Sequence, residues 1–218
     1  MKIVAAKKIL KANEQLAAEN REKFDAAGIF GVNLVGSPGS GKTTLLEALF
    51  SRQGLAGRAA PAVIEGDIAG SIDAQRMDAL GVPVVQINTE GACHLDASMI
   101  AAAVLNLDLQ AVRLLVIENV GNLVCTAGFD LGERLRVVLL SVTEGDDKLV
   151  KYPAIFQGSH ALVVTKIDLL PHTNFRVQRA VEDMKRLAPA AAIFQVAALR
   201  GEGIPALADW LVQRMEAR

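Results

Sequence analysis

Residues 36–43 read "GSPGSGKT", placing Gly36, Ser37, Pro38, Gly39, Ser40, Gly41, Lys42 and Thr43 in the order G-x-x-x-x-G-K-[ST], with Thr44 next. The β-rich "GVNLV" precedes this run and the helical "TLLEALF" follows it, which is the setting of a phosphate-binding loop. Glycines let backbone N–H groups turn toward phosphate oxygens, and the start of a helix adds a favourable potential for anions. Lys42 is then expected at the β and γ phosphates and the Thr43 hydroxyl on Mg²⁺. The chemistry implied is binding of a nucleoside triphosphate.

Other candidates close successive β-rich runs. "EGDIAGSIDAQRM" offers Asp67 and Asp73, hard oxygen donors suited to Mg²⁺ directly or through water, although either can instead cap the following helix. "VRLLVIENVG" ends in Glu118 and Gly121, the pattern of a γ-phosphate sensor in which a carboxylate approaches Mg²⁺ and a glycine N–H meets phosphate. "VVTKIDLL" supplies Thr165, Lys166 and Asp168. An aspartate there accepts both donors on the guanine edge, whereas adenine lacks them, and sites of this kind discriminate by ~10⁴ or more. GTP is favoured over ATP.

A third chemistry is soft. "NTEGACHLDAS" sets Cys93 beside His94, and the only other cysteine, Cys125, lies in "ENVGNLVCTAG". Two thiolates and an imidazole suit Ni²⁺ or Zn²⁺ far better than Mg²⁺, with square-planar geometry favouring nickel and tetrahedral geometry zinc. Three ligands leave the shell unfinished, as befits a metal that must leave again. Buried small side chains beside a surface imidazole are the alternative. A cysteine nucleophile fits poorly, because no third group orients the pair. His160 and His172 have no ligand set near them in sequence. Lys148, in "TEGDDK", reads as a nucleotide contact across a dimer or as a solvated lysine.

These residues need a frame that gathers strand ends. "IFGVNLVG", "PAVIEGD", "VPVVQINT", "VRLLVIENVG", "RVVLLSVTEG", "HALVVTKIDL" and "AAIFQVAA" read as strands covered on both faces. Helical patterns lie between most of them: "GKTTLLEALFSRQ", "DASMIAAAVLNL", "NFRVQRAVEDMKRL" and "GIPALADWLVQRMEAR". The expectation is an α/β P-loop NTPase with a largely parallel sheet of about seven strands flanked by helices, since ligands of such sheets gather beyond the carboxyl ends of the strands. Residues 2 to about 24 are expected to form an amphipathic helix with an apolar stripe of Ile3, Ile9, Leu10, Leu16 and Phe24. No linker or repeat divides the chain, so 1–218 is expected to be one G domain.

Composition narrows the partners. A net charge of -1 gives no electrostatic reason to bind nucleic acid or an acidic membrane surface. No apolar run reaches the roughly 18 residues of a spanning helix, and no leader pattern opens the chain, so a cytoplasmic location is expected, where cysteines stay thiols.

Taken in order, "NEQLAAENREKF", "NLVGSPGSGKTTLLEAL", "EGDIAGSIDAQRM", "NTEGACHLDA", "ENVGNLVC", "FDLGE", "TEGDDK" and "TKIDLL" resemble the HypB family, the GTPases that assist nickel insertion into [NiFe]-hydrogenase. The resemblance implies a GTP-state homodimer with metal at the subunit interface, a HypA-type nickel-binding accessory protein and the hydrogenase large subunit as partners. It places Lys42 and Thr43 at phosphate and Mg²⁺, Asp67 and Asp73 in a first switch, Glu118 in a second, Lys166 and Asp168 at guanine, and Cys93, His94 and Cys125 at the metal. Three departures stand out. Thr165 replaces a frequent asparagine, Leu199 in "AALRGEG" replaces an expected lysine, and no amino-terminal cysteine cluster or histidine-rich stretch is present.

The expected activity is slow, Mg²⁺-dependent GTP hydrolysis timing nickel delivery; no residue stands out to position the attacking water, since Asn122 follows Gly121 where some GTPases have glutamine. Two other readings stay open: a UreG-like accessory GTPase for another nickel enzyme, from which "ENVGNLVC" and "GACHLDA" point away, and a passive metal-binding module with GTP as a structural ligand.

Overall fold

Seven aliphatic runs become seven strands of one sheet, hydrogen-bonded in the order β3-β2-β4-β1-β5-β6-β7 with every pair parallel. The computed structural model describes residues 4–51, 54–67 and 72–217, apart from the side chains of residues 4–9 and 72. The strands are β1 Phe30–Gly36, β2 Pro61–Asp67, β3 Val84–Asn88, β4 Leu114–Glu118, β5 Leu135–Ser141, β6 Ala161–Thr165 and β7 Ala192–Val196. In β1, β4, β5 and β6 every residue is buried, as a parallel sheet covered on both faces requires.

The helices are α1 Val4–Ala26, α2 Lys42–Phe50, α3 Ile72–Asp78, α4 Ala97–Val104, α5 Lys148–Lys151, α6 Pro153–Gln157, α7 Val177–Leu187 and α8 Ile204–Glu216. On one face, Val32, Leu34 and Val137 pack against Leu45, Leu46 and Leu49 of α2 and Ile204, Leu207 and Leu211 of α8. The other face carries two separate apolar clusters. Val138, Leu140 and Leu162 meet Ile155, Phe156, Ala180 and Met184, while Ile64, Leu115 and Ile117 meet Phe24, Ile100 and Ala103. Each fully buried leucine or isoleucine contributes roughly 1.5–3 kcal/mol relative to exposure, which is what holds the strand ends in register.

The helices α3, α5 and α6 were not among the expected ones; they run to 7, 4 and 5 residues, too short to show a period. The helix α1 keeps part of its expected apolar stripe. Phe24 is buried and Leu16 half-buried, Leu10 is exposed, and Ile3 and the Ile9 side chain lie outside the described residues. Polar side chains add to the docking. Asn13 donates to Asp130 O at 2.8 Å and accepts from Ala97 N at 2.8 Å, and Asn20 donates to Ala97 O at 2.9 Å and Leu131 O at 3.1 Å. An Arg21–Asp130 ion pair at 2.7 Å closes the contact. Two buried amides at i and i+7 thus add a polar seam beside the buried Phe24.

The strand β1 lies between β4 and β5, so the chain leaves it in one direction for β2 and β3 and later in the other for β5 to β7. That reversal opens a crevice at the carboxyl end of β1, where residues 36–43 follow.

Candidate functional site

The crevice is a cleft of about 490 Å³ lined by Pro38, Gly39, Gly41, Lys42, Thr43 and Thr44, by Glu65, Gly66, Asp67, Asp73 and Arg76, and by Glu118, Asn119, Val120, Gly121 and Lys166. Gly39 and Gly41 take φ of 72° and 91°, the left-handed conformation that curls the loop ahead of α2 and that other L-residues adopt only with strain. Lys42 and Thr43 open α2 and are buried against the sheet.

Expected residues converge here. The Thr43 hydroxyl donates to Glu118 Oε1 at 2.9 Å, tying the phosphate loop to the end of β4. Gly121 abuts the same loop: a Cβ there would lie 2.9 Å from Pro38 N, so no larger residue fits without displacing it. Asp67 and Asp73 line the cleft together. Asp73 also accepts from Arg76 at 3.1 Å, and Arg76 donates further to Glu47 Oε1 at 2.8 Å and to Thr44 Oγ1 at 3.1 Å.

Glu65, Arg76 and Asn119 were not anticipated from the sequence. Glu65 lies two residues before Asp67 on β2 and so faces the same side, a period-two signal that could have found it. Its registry partner is Glu118 on the neighbouring strand, and both side chains are buried. Burial, then the Glu118 charge, pushes the Glu65 carboxyl up to about 8. Burial raises Glu118 to about 7, opposed by the Lys42 charge and the Thr43 hydrogen bond. Among the described residues Glu65 Oε2 and Glu118 Oε2 are buried without a hydrogen-bond partner. Buried carboxyl oxygens beside a hydroxyl and two further carboxylates make an all-oxygen donor set, which suits a hard divalent cation such as Mg²⁺ able to displace their protons.

At the far side of the cleft, β6 ends in Thr165, whose hydroxyl donates to Ser40 O at 2.7 Å, and Lys166 follows with φ 59° and donates to Gly39 O at 2.7 Å. The threonine that replaces asparagine thus still anchors this segment to the phosphate loop. Asp168 lies beyond, 3.9 Å from Arg200 in the β7–α8 connection, and neighbouring Leu199 is 87% exposed.

The soft donors also meet. Cys93, His94 and Cys125 bring their ligand atoms within 4.8 Å of one another. Two tight segments deliver them. Cys93 and His94 sit between a turn closed by Thr89 Oγ1 donating to Ala92 O at 2.8 Å and Asp96, whose carboxylate accepts from Met99 N at 2.9 Å and caps α4. Cys125 opens the 3₁₀ turn Cys125–Gly128, and Asn122 Oδ1 accepts from Val124 N at 2.7 Å and Cys125 N at 3.0 Å. The Asn122 side-chain carbonyl oxygen is therefore engaged by the cysteine turn. The His94 ring stacks on Phe129 at 3.9 Å between centroids, and Cys93 Sγ lies 3.7 Å from His94 Nδ1. The hydrogen bond with Cys93, followed by burial, pushes the Cys125 thiol up. Two half-buried thiols that crowd each other in this way favour a cation that displaces their protons.

The remaining histidines stay apart from this cluster. His160 Nδ1 accepts from Arg136 N at 3.0 Å. Lys148 stands 5.5 Å above the Tyr152 ring at the start of α5, outside the residues lining the cleft.

Residues 31–195 match the CobW/HypB/UreG nucleotide-binding domain family. The chain is 48% identical over 211 residues to the hydrogenase maturation factor HypB of Azotobacter vinelandii, covering 96% of this chain and 69% of that protein. Among solved structures it is similar to HypB of Helicobacter pylori in complex with nickel, with 39% identity, a TM-score of 0.89 and coverage of 94% and 96% of the two chains. HypB of Archaeoglobus fulgidus superposes with a TM-score of 0.87 at 36% identity, over 94% of this chain and 99% of that one.

Proposed function

The chain belongs to the HypB family of hydrogenase maturation factors, and from that premise we propose that it couples slow, Mg²⁺-dependent GTP hydrolysis to the loading and release of nickel at Cys93, His94 and Cys125. The observation that carries the proposal is the meeting of these three donors within 4.8 Å at the end of the sheet where the nucleotide cleft opens.

In this reading the backbone of Gly36 to Thr44 and the Lys42 ammonium hold the triphosphate, and Asp168 with the Lys166 stem selects guanine. Thr43, Asp67, Asp73 and Glu118, with Glu65 behind them, would hold Mg²⁺, which when bound neutralises developing phosphate charge. Gly121, already packed on the phosphate loop, donates its N–H to the γ phosphate and releases it after hydrolysis. With Asn122 Oδ1 turned toward the cysteine turn, no side chain among the described residues is assigned to position the attacking water, and slow turnover is expected for that reason. Zn²⁺ competes for the same thiolates, the protomers pair through the metal-bearing face in the GTP state, and the whole chain acts as one G domain in the cytoplasm. The soft, incomplete donor set fits handing metal to a HypA-type protein or to the hydrogenase large subunit.

Two variants test this together. Lys42→Ala is expected to lower GTP turnover by at least about 100-fold, as loss of one charge-stabilising donor does in other enzymes, and to abolish nickel maturation in cells while the fold survives. Full maturation with Lys42→Ala would instead make GTP a structural ligand. Cys93→Ala with Cys125→Ala is expected to lose Ni²⁺ binding in titration, and unchanged stoichiometry and affinity would refute the metal site.

A further inference from the structure

The two segments that carry the soft ligands rest on one buried polar chain that starts beside the nucleotide cleft. Asn119 follows Glu118 directly, and its Oδ1 accepts from Val120 N at 3.0 Å and from Leu95 N at 3.1 Å, the residue after His94. Its Nδ2 donates to Asn33 Oδ1 at 3.3 Å, and Asn33, in the middle of β1, donates in turn to Glu133 Oε1 at 3.1 Å. Arg136 donates to the same oxygen through Nη2 at 2.8 Å and spreads its other donors to Ala127 O at 3.2 Å and Phe129 O at 2.8 Å. Ala127 lies in the turn that Cys125 opens, and Phe129 stacks on His94. All four side chains are buried, and Asn33 is wholly so.

We propose that Asn119, backed by Asn33, Glu133 and Arg136, is the positioning chain through which the nucleotide state of the cleft sets the geometry of the Cys93, His94 and Cys125 ligands. The inference rests on the function proposed above. Any movement of Glu118 to Gly121 toward a γ phosphate carries the Asn119 amide with it. Inside the protein an orphaned amide or carboxylate is costly, so the linked groups move together rather than break one by one. Displacement then reaches the metal site from two sides, through Leu95 to the His94 backbone and through Arg136 to the carbonyls that frame the Cys125 turn. The cysteine turn also follows the switch along the chain through Asn122, but no such covalent route leads to Cys93 and His94. The buried chain therefore supplies a physical connection between two discrete sites, the kind of link that coupling requires.

The test compares Ni²⁺ affinity in Mg²⁺ with a non-hydrolysable GTP analogue and with GDP, together with the thiolate-to-nickel charge-transfer spectrum of each state. It uses the full chain and two variants that neither line the cleft nor ligate metal. Asn33→Leu cuts the middle of the chain, and Arg136→Lys keeps the charge opposite Glu133 while losing the reach to Ala127 and Phe129. The expected wild-type affinity ratio between the two nucleotide states is at least about fivefold, and in both variants it falls to within about twofold of unity with the two spectra converging. The affinity of the metal-free variants for each nucleotide is expected to match wild type. A wild-type ratio and wild-type spectra retained in either folded variant overturn the inference alone. A wild-type ratio of unity overturns both the inference and the nucleotide-linked nickel site. Parallel loss of metal-free nucleotide affinity shows general loosening and also overturns the inference. If Asn33→Leu does not fold, Arg136→Lys decides by the same readings.

Discussion

At the scale of single residues, the cleft is set by ionisable groups held largely out of water. Glu65 and Glu118 stand side by side on adjacent strands with carboxyls raised from 4.5 to about 8 and about 7. Each binds its proton more tightly folded than unfolded, so the stability they contribute is full below pH 4.5 and is lost as pH rises through 7 and then 8. Thermal unfolding of the nucleotide-free protein should therefore show a falling Tm across that window. Glu65→Gln, which cannot ionise, should flatten the fall and leave Tm near pH 4.5 almost unchanged; an unaltered slope would show that Glu65 does not titrate there. The base end makes a different prediction. Asp168→Ala should bring the preference for GDP over ADP, on the order of 10⁴ in sites of this type, close to unity in competition binding. Of the residues lining the cleft, Lys42, Thr43, Asp67 and Glu118 were legible in advance, because they fall at strand ends and in spaced motifs. Glu65, Asn33 and Asn119 were not, because each is a polar residue inside or just past a run whose neighbours read as plain hydrophobic strand.

At the scale of elements, the long aliphatic runs declared the seven strands, since a strand buried on both faces has no alternation to obscure it. Short elements were harder. The helix α6 begins at Pro153, a favourable first position, yet its 5 residues cannot establish a helical period. The helix α1 was legible as a helix, but not the part that Asn13 and Asn20 play in holding it to α4 and to the segment before β5. Asn20→Ala should accordingly cost about 1–3 kcal/mol in urea unfolding, the penalty for leaving the buried carbonyls of Ala97 and Leu131 without their donor. A change within a few tenths of a kcal/mol would mean the helix is held by its apolar contacts after all.

At the scale of the whole molecule, the parallel sheet sends the phosphate loop, Glu118 and the Cys93, His94 and Cys125 donors to one end, and in the proposed function those three donors would leave a metal coordination shell open there. In the dimer proposed above a second copy of the chain would close it, with Val124 beside Cys125, 62% exposed, at the contact. Sedimentation velocity should show dimer increasing with a Mg²⁺-bound non-hydrolysable GTP analogue, and Lys42→Ala should remain monomeric under the same conditions. Dimer formation independent of nucleotide would detach assembly from the switch. No helix among the described residues is long and apolar enough to cross a membrane. The hydrogen bonds from Thr165 and Lys166 to Ser40 O and Gly39 O tie the end of β6, the proposed base-reading segment, to the phosphate loop. In the proposed function the two ends of the nucleotide would thus meet surfaces that the fold itself holds together. Little conformational entropy remains to be surrendered on encounter, and the rate of nucleotide capture should be governed by diffusion and product departure, with no slow ordering of the base pocket.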